Sequence, residues 1–156
     1  MYRMSLMSFL LPSTLTIDDT VHSVSRDHIM KMAIIHDLAE CIVGDITPNC
    51  GVSAEEKHRL EEAALIDICS SLATENSDEI ISLWREYESQ STPESKVCKD
   101  LDKLEMIVQA DEYEREFSER GKFLQDFFNS TNGKFQTDFG IKLANDLYEK
   151  RNKSIE

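Results

Sequence analysis

The stretch IIHDLAECIVGDITP, residues 34–48, decides how this chain is read. Together with the residues before it, it predicts a helix over 25–44 that is apolar around most of its circumference: Ile29, Met30, Met32, Ala33, Ile34, Ile35, Leu38, Cys41, Ile42 and Val43. A helix apolar nearly all round is normally buried. On 3.6-residue geometry His36, Asp37 and Glu40 nevertheless share an arc of roughly 100°, turned away from Asp27 and Lys31. Unpaired buried carboxylates cost on the order of several kcal/mol, so charges there call for a partner such as a metal ion. A His nitrogen beside an Asp oxygen is a mixed donor set that suits Mn, Co, Fe, Ni or Zn rather than Ca.

Outward from this stretch the chain reads as a series of helices. The first covers residues 2–11 and stops at Pro12, and a polar loop runs to about Ser23. Gly44 ends the helix of 25–44, and DITPNCG follows as a turn-rich loop. Ser53-Ala54-Glu55-Glu56 is a capping box that opens a helix to about residue 73, and another helix spans 77–88. Thr92 as N-cap, with Pro93 at the first helical position, opens a long helix to about residue 117. Its apolar seam is Val97, Leu101, Leu104 and Val108. Gly121 interrupts, residues 123–129 form a short helical piece, and an amphipathic helix covers 139–150. Nothing alternates with period two for long enough to demand a sheet. The expected fold is all-α, a single helical domain over residues 1–156. Met4, Met7, Phe9 and the Leu101 seam are expected in its core, with Trp84 and Tyr87 as packing residues.

A chain of 156 residues buries about two-thirds of the surface its unfolded form exposes, so folding requires neither metal nor disulfide. The formal charge is -13, with acidic residues spread along the whole length. Such a surface repels polyanions, which argues against nucleic acid polymers and anionic membranes as partners. A small phosphate ester stays open where a metal supplies positive charge. Cys41, Cys50, Cys69 and Cys98 form no CxxC pair and no framework spacing, which fits a reducing compartment, cytoplasmic or nuclear. The opening MYRMSLMSFLLPS has the look of a short signal peptide, but Ser5 and Ser8 break its apolar run. No stretch approaches the length of a membrane-spanning helix.

Ligands from one helix cannot close a metal site, and the long helix offers Asp100, Asp102 and Glu105 in VCKDLDKLE. Periodicity does not choose between Asp100 and Asp102, since each flanks the Val97–Leu101–Leu104 seam.

The segments YRMSLM, HDLAECIVGDITP, EEKHRLEEAA, LWREYESQSTPESKVCKDLDKLEMIVQADEYE and LQDFFNSTNGKF, in this order, span nearly the whole chain. They resemble the HD-domain metal-dependent phosphohydrolases of the 5′-deoxynucleotidase family. The resemblance implies an H…HD…D pattern around a divalent ion, in which His36 and Asp37 match the central pair and Asp102 matches the last Asp. Glu40 and Asp45 match carboxylates that the family uses for catalysis. In some members these hold a second divalent ion together with the carbonyl at the position of Ile46. Cobalt or manganese is the implied ion, with magnesium, zinc, iron or copper as further candidates. The implied reaction hydrolyses a deoxyribonucleoside 5′-monophosphate to nucleoside and phosphate, in a homodimeric enzyme. Glu40 would orient or deprotonate the attacking water, and Asp45 would lie near the sugar or the leaving oxygen. Asp100 and Glu105 are then ordinary helix charges.

The same resemblance sets the family's first histidine just before a MYRMSLM-type helix. It also sets an Arg and a neighbouring aromatic, which grip phosphate and sugar, in the helix preceding that. Both are expected outside residues 1–156, so that three of four ligands lie within the chain and an ion is held less tightly. Part of Ile29, Met32 or Val43 is expected to be uncovered. His28 is no substitute, being about 12 Å from His36 along a helix axis. His22 lies in the loop, and His58 reads as part of a solvated face. Two competing readings are a catalytically silent helical protein acting through dimerisation and a nucleotide-binding module without turnover.

Overall fold

The computed structural model describes residues 1–47, 50–117 and 123–153, so the interruption expected at Gly121 lies outside the described residues. Along the chain run α1 (Tyr2–Ser8), β1 (Thr14–Ile17), β2 (Thr20–Ser23), α2 (Arg26–Ile35) and α3 (Glu40–Val43). After them come α4 (Ala54–Cys69), α5 (Thr74–Ser89), α6 (Pro93–Glu116), α7 (Gln125–Thr131) and α8 (Asp138–Lys153). The helix starts follow their capping residues. Ser53 accepts the Glu56 amide ahead of α4, and Thr92 and Ser95 cap α6 reciprocally with Pro93 in its first turn. Helix α5 begins at Thr74, three residues earlier than the periodicity suggests.

Helix α6 is the axis of the fold. It buries Val97, Leu101, Leu104, Ile107 and Ala110, and α1, α2, α5, α7 and α8 all pack on it. The seam therefore continues through Ile107, and Val108 is only half-buried. Each fully buried aliphatic side chain here contributes about 1.5–3 kcal/mol. A smaller cluster of Ala39, Ala64, Leu65, Cys69 and Trp84 lies beneath α4. The four cysteines are free, with Cys69 and Cys98 buried. Among the described residues no helix is long and apolar enough to cross a membrane.

Several sequence expectations are corrected. The polar loop before Ser23 contains a hairpin, β1 paired antiparallel with β2. Its turn residues Asp18 and Asp19 have φ of 49° and 60°, the positive values of a type I′ turn. Leu15 and Ile17 point into the core. The helix expected over 25–44 is broken at residues 36–39, and it is not buried all round: Ile34 is 49% and Ile42 54% exposed. Phe9, expected in the core, is 62% exposed, whereas Met4 is buried and Met7 packs against the core. Ile29 and Met32 are fully buried against expectation, while Val43 is half-buried.

Two buried carboxylates of α6 hold α8 in place. Asp100 accepts the backbone amides of Gln136 and Thr137 and the Thr137 hydroxyl, at 2.8–3.0 Å, just before α8 begins. The approach is so close that a Cβ on Gly140 would stand 2.5 Å from Asp100 Oδ2, so this position requires glycine. Near the other end of α8, Arg151 donates to both oxygens of Glu114 at 2.7 and 3.0 Å, and the pair is almost wholly out of water. Glu114 also accepts the Leu124 amide at the entry to α7, and the Arg151 guanidinium lies over the Phe128 ring. Removing one member of such a pair leaves the other charge buried and uncompensated. Glu114→Ala is therefore expected to lower stability by about 3–5 kcal/mol in urea denaturation. The double exchange Glu114→Leu with Arg151→Met should cost clearly less. Equal losses would show that the pair matters for its packing rather than its charge.

Candidate active site

Helix α2 stops at Ile35 because the backbone tightens into turns there. The amide of Leu38 donates to the Ile35 carbonyl at 2.9 Å, that of Glu40 to Asp37 at 3.0 Å, and that of Ile42 to Ala39 at 3.0 Å. These bonds span three residues rather than four, so the amides stay satisfied while the helix ends. His36 sits at that end with its imidazole buried. Its Nδ1 lies 2.9 Å from the Ala33 carbonyl oxygen, which can only accept, so Nδ1 carries a hydrogen and Nε2 faces the cavity. Nε2 stands 2.9 Å from Asp37 Oδ2 and 3.8 Å from Asp102 Oδ1. It is buried and, among the described residues, makes no hydrogen bond of acceptable geometry.

The cavity in front of it has a volume of about 480 Å³. Among its described lining residues Asp37, Glu40, Asp45, Glu61, Glu88 and Asp102 carry carboxylates, against the ammonium groups of Lys57 and Lys99. Glu40 reaches it from α3, and Asp45 from the loop beyond Gly44, whose φ of 74° turns the chain out of that helix. Lys57 on α4 donates to the Ile46 carbonyl at 3.1 Å and stands 3.0 Å from Glu61, so the carbonyl of Ile46 already faces a cation. Tyr87 of α5 packs its ring against that of His36 at 4.9 Å between centroids and donates its hydroxyl to Asp102 Oδ2 at 2.7 Å.

Charge is concentrated enough to move several ionisations. Burial alone would lower the His36 pKa, but Asp102 and Asp37 outweigh it and raise it to about 9. Burial would likewise raise that of Asp102, yet His36, Lys99 and the Tyr87 hydroxyl hold its carboxyl well below the usual range. Glu40 is pushed up to about 7, first by burial and then by the neighbouring charges of Asp37 and Asp45. Burial and the Asp102 charge push the Tyr87 phenol far up, so it remains a donor. Among the described residues no three His, Cys, Asp or Glu side chains already surround a common ion position. The imidazole and carboxylates are instead drawn onto one another, as opposite charges compensating directly would be.

The fold thus brings His36, Asp37, Glu40, Asp45 and Asp102 to one cavity, while Ile46 is not among the residues that line it and its carbonyl accepts from Lys57, which is. It also separates the two aspartates that periodicity left equivalent. Two residues apart on a helix means about 200° of rotation, so Asp102 faces the cavity while Asp100 faces the start of α8. Asp100 is thereby a buried anchor rather than an ordinary helix charge. Sequence reasoning missed Tyr87, Lys99, Lys57 and Glu61. The spacings Lys99–Asp102 and Lys57–Glu61 were available as helical ion pairs, whereas nothing local marked Tyr87. Elsewhere, His28 pairs with Glu86 at 2.8 Å. His58 is more than a solvated charge, since it stacks on Trp84 at 5.0 Å between centroids.

Residues 1–141 match the family model described as HD domain. The 5′-deoxynucleotidase HDDC2 of Danio rerio is 49% identical over 155 residues, covering 99% of this chain and 73% of that protein. The solved structure of HD domain-containing protein YGK1, a protein of Saccharomyces cerevisiae, superposes with a TM-score of 0.73 at 31% identity. That match covers 97% of this chain and 74% of the other. A Magnetospirillum magnetotacticum protein described as a predicted metal-dependent phosphohydrolase shares the fold, with a TM-score of 0.69 at 19% identity over 97% of this chain and 74% of that one.

The raised pKa of His36 makes the ion-free protein sensitive to alkali. Its contribution to stability is complete below the ordinary value of 6.5 and is lost as pH climbs through about 9. In NMR titration of ion-free protein the His36 ring should change state near pH 9. The urea midpoint should fall more between neutral pH and that point in the native sequence than in His36→Gln. A His36 midpoint below 6.5 would mean that burial outweighs the two carboxylates.

Proposed function

We propose that this chain, which belongs to the HD-domain family in its 5′-deoxynucleotidase branch, hydrolyses deoxyribonucleoside 5′-monophosphates to nucleoside and phosphate with a divalent cation. The observation that carries the reading is the buried Nε2 of His36, aimed at two carboxylates and held there by the Nδ1 bond to Ala33. A nitrogen so placed is satisfied by a cation shared with Asp37 and Asp102. The proton that otherwise sits there occupies the same electrostatic position. One nitrogen with carboxylate oxygens suits a borderline ion, cobalt or manganese foremost.

When bound, such an ion supplies positive charge for the phosphate oxygens and lowers the pKa of a water at the site. The remaining work falls to the chain. A phosphate dianion entering a cavity lined by six carboxylates needs positive charge, and because Lys57 and Lys99 are already paired with Glu61 and Asp102, a divalent ion would have to supply it. Glu40 takes a proton from the attacking water as the water oxygen bonds to phosphorus, and the bond to the 5′ oxygen breaks with that oxygen taking up a proton, returned from Glu40 or supplied by solvent, to leave as the nucleoside hydroxyl. Asp45, exposed at the mouth, serves the sugar or the leaving oxygen. A second divalent ion held by Glu40, Asp45 and the Ile46 carbonyl would compete with Lys57, which already donates to that carbonyl. The charge of -13 disfavours polymeric nucleic acids as substrates, and the four free cysteines suit a reducing cytoplasm or nucleus. A homodimer is the assembly proposed.

Phosphate release from deoxyribonucleoside monophosphates should require added Co2+ or Mn2+. Glu40→Ala should lower the rate about 10²- to 10⁴-fold with metal content little changed, as loss of a general base does. Asp37→Ala should remove metal and rate together. An unaffected rate in Glu40→Ala would end its assignment as base, and no turnover with any divalent ion would end the enzymatic reading. Because the ion displaces one proton from His36, apparent Co2+ affinity should also rise, by up to about tenfold per pH unit, until the pH reaches the His36 pKa. Affinity independent of pH would remove His36 from the ligand set.

A further inference from the structure

Asp102 uses its two oxygens differently. Oδ2 accepts from the Tyr87 hydroxyl at 2.7 Å and from Lys99 Nζ at 3.1 Å. Oδ1 is the oxygen that faces His36 Nε2, at 3.8 Å. Lys99 lies one turn before Asp102 on α6 and closes a triangle, with its Nζ 2.7 Å from the Tyr87 hydroxyl and 4.6 Å from the centre of that ring. Tyr87 itself comes from α5 and is 3% exposed. One side chain therefore touches donors from two other places in the fold, His36 with its ring and Asp102 with its hydroxyl.

We infer that Tyr87 and Lys99 are positioning residues that make Asp102 a single-oxygen donor, holding Oδ2 so that Oδ1 alone is offered to the cation beside His36. The inference rests on the reading of His36 and Asp102 as members of the ion-holding set. A carboxylate without such partners can swing about its last torsion and present both oxygens. Two charge-assisted or buried donors on one oxygen fix that torsion and divert its electron density. Groups that orient a ligand in this way typically matter 10- to 100-fold in metal affinity.

Tyr87→Phe removes the hydroxyl and keeps the ring against His36, so it isolates the hydrogen bond. With Co2+ as probe, its affinity is expected to fall about 10- to 100-fold. At saturating Co2+ its visible absorption should weaken, because a second carboxylate oxygen raises the coordination number. Lys99→Met, at a partly exposed position that tolerates change, should shift the spectrum in the same direction. Native-like spectra and affinities within about twofold in both variants would overturn the inference, since an effect on folding alone would not change the spectrum of the bound ion. Asp102→Asn separates the two readings. If it binds Co2+ like the native protein, Asp102 is not a donor and the underlying assignment fails. If it loses Co2+ while Tyr87→Phe and Lys99→Met behave as native, the positioning role alone fails.

Discussion

Helix α6 takes Asp100 and Glu114 out of water and turns Asp102, a third of whose side chain is exposed, into the cavity, and the rest of the molecule is arranged around compensating them. Asp100 is met by the backbone that leads into α8, Glu114 by Arg151 from the far end of α8, and Asp102 by groups from α5 and from the end of α2. A carboxylate desolvated without such partners would be among the costliest groups in the fold. Each partner must therefore be delivered by an element packed at a fixed height on α6. The apolar seam through Leu101, Leu104 and Ile107 supplies the attraction, while the charges specify register. The candidate site is one of these compensation points, and it differs in one respect. Asp100 and Glu114 each have several partners, whereas among the described residues His36 Nε2 makes no well-formed bond.

That distinction explains what could be read in advance. Caps are local chemistry, so Ser53, Thr92 and Pro93 announced α4 and α6 correctly, and Met4 and the Leu101 seam announced the core. The hairpin is too short for its alternation to stand out, although Asp18-Asp19 is a turn signal that accompanies Leu15 and Ile17. The helix break at 36–39 could not be seen, because the apolar residues on either side continue the pattern through it. Exposure of Ile34, Ile42 and Phe9 was equally hidden, since apolar residues are common on protein surfaces. Within the site, the shared face of His36, Asp37 and Glu40 was legible in the residues and Asp45 and Asp102 only through the resemblance, and the five line one cavity. Their supports were not legible. Tyr87 sits 15 residues from Asp102 on another helix, and only tertiary packing relates the two.

The acidity of the cavity follows from the same logic. Six carboxylates line about 480 Å³, and burial first, then the charges of Asp37 and Asp45, raise the Glu40 pKa to about 7. Lys57 and Lys99 are both committed, one to Glu61 and the Ile46 carbonyl, the other to Tyr87 and Asp102. Neither is free to neutralise the centre. A cavity of this charge would attract a small cation and repel a bare phosphate.

The break in the helix at 36–39 is what lets neighbouring residues act together. On a continuous helix His36 and Asp37 would diverge by about 100°, and adjacent side chains do not face each other. Here their donor atoms come within 2.9 Å, at the point where α2 gives way to tighter turns. The same turns restart the chain as α3, which carries Glu40 back to the cavity, and Gly44 then redirects it toward Asp45. The apolar run that disguised the break in the sequence thus serves both sides of it, with Met32 and Ala33 in the main core and Ala39 in the smaller one. The motif is held between two cores, and its polar groups are left facing the gap where those cores meet.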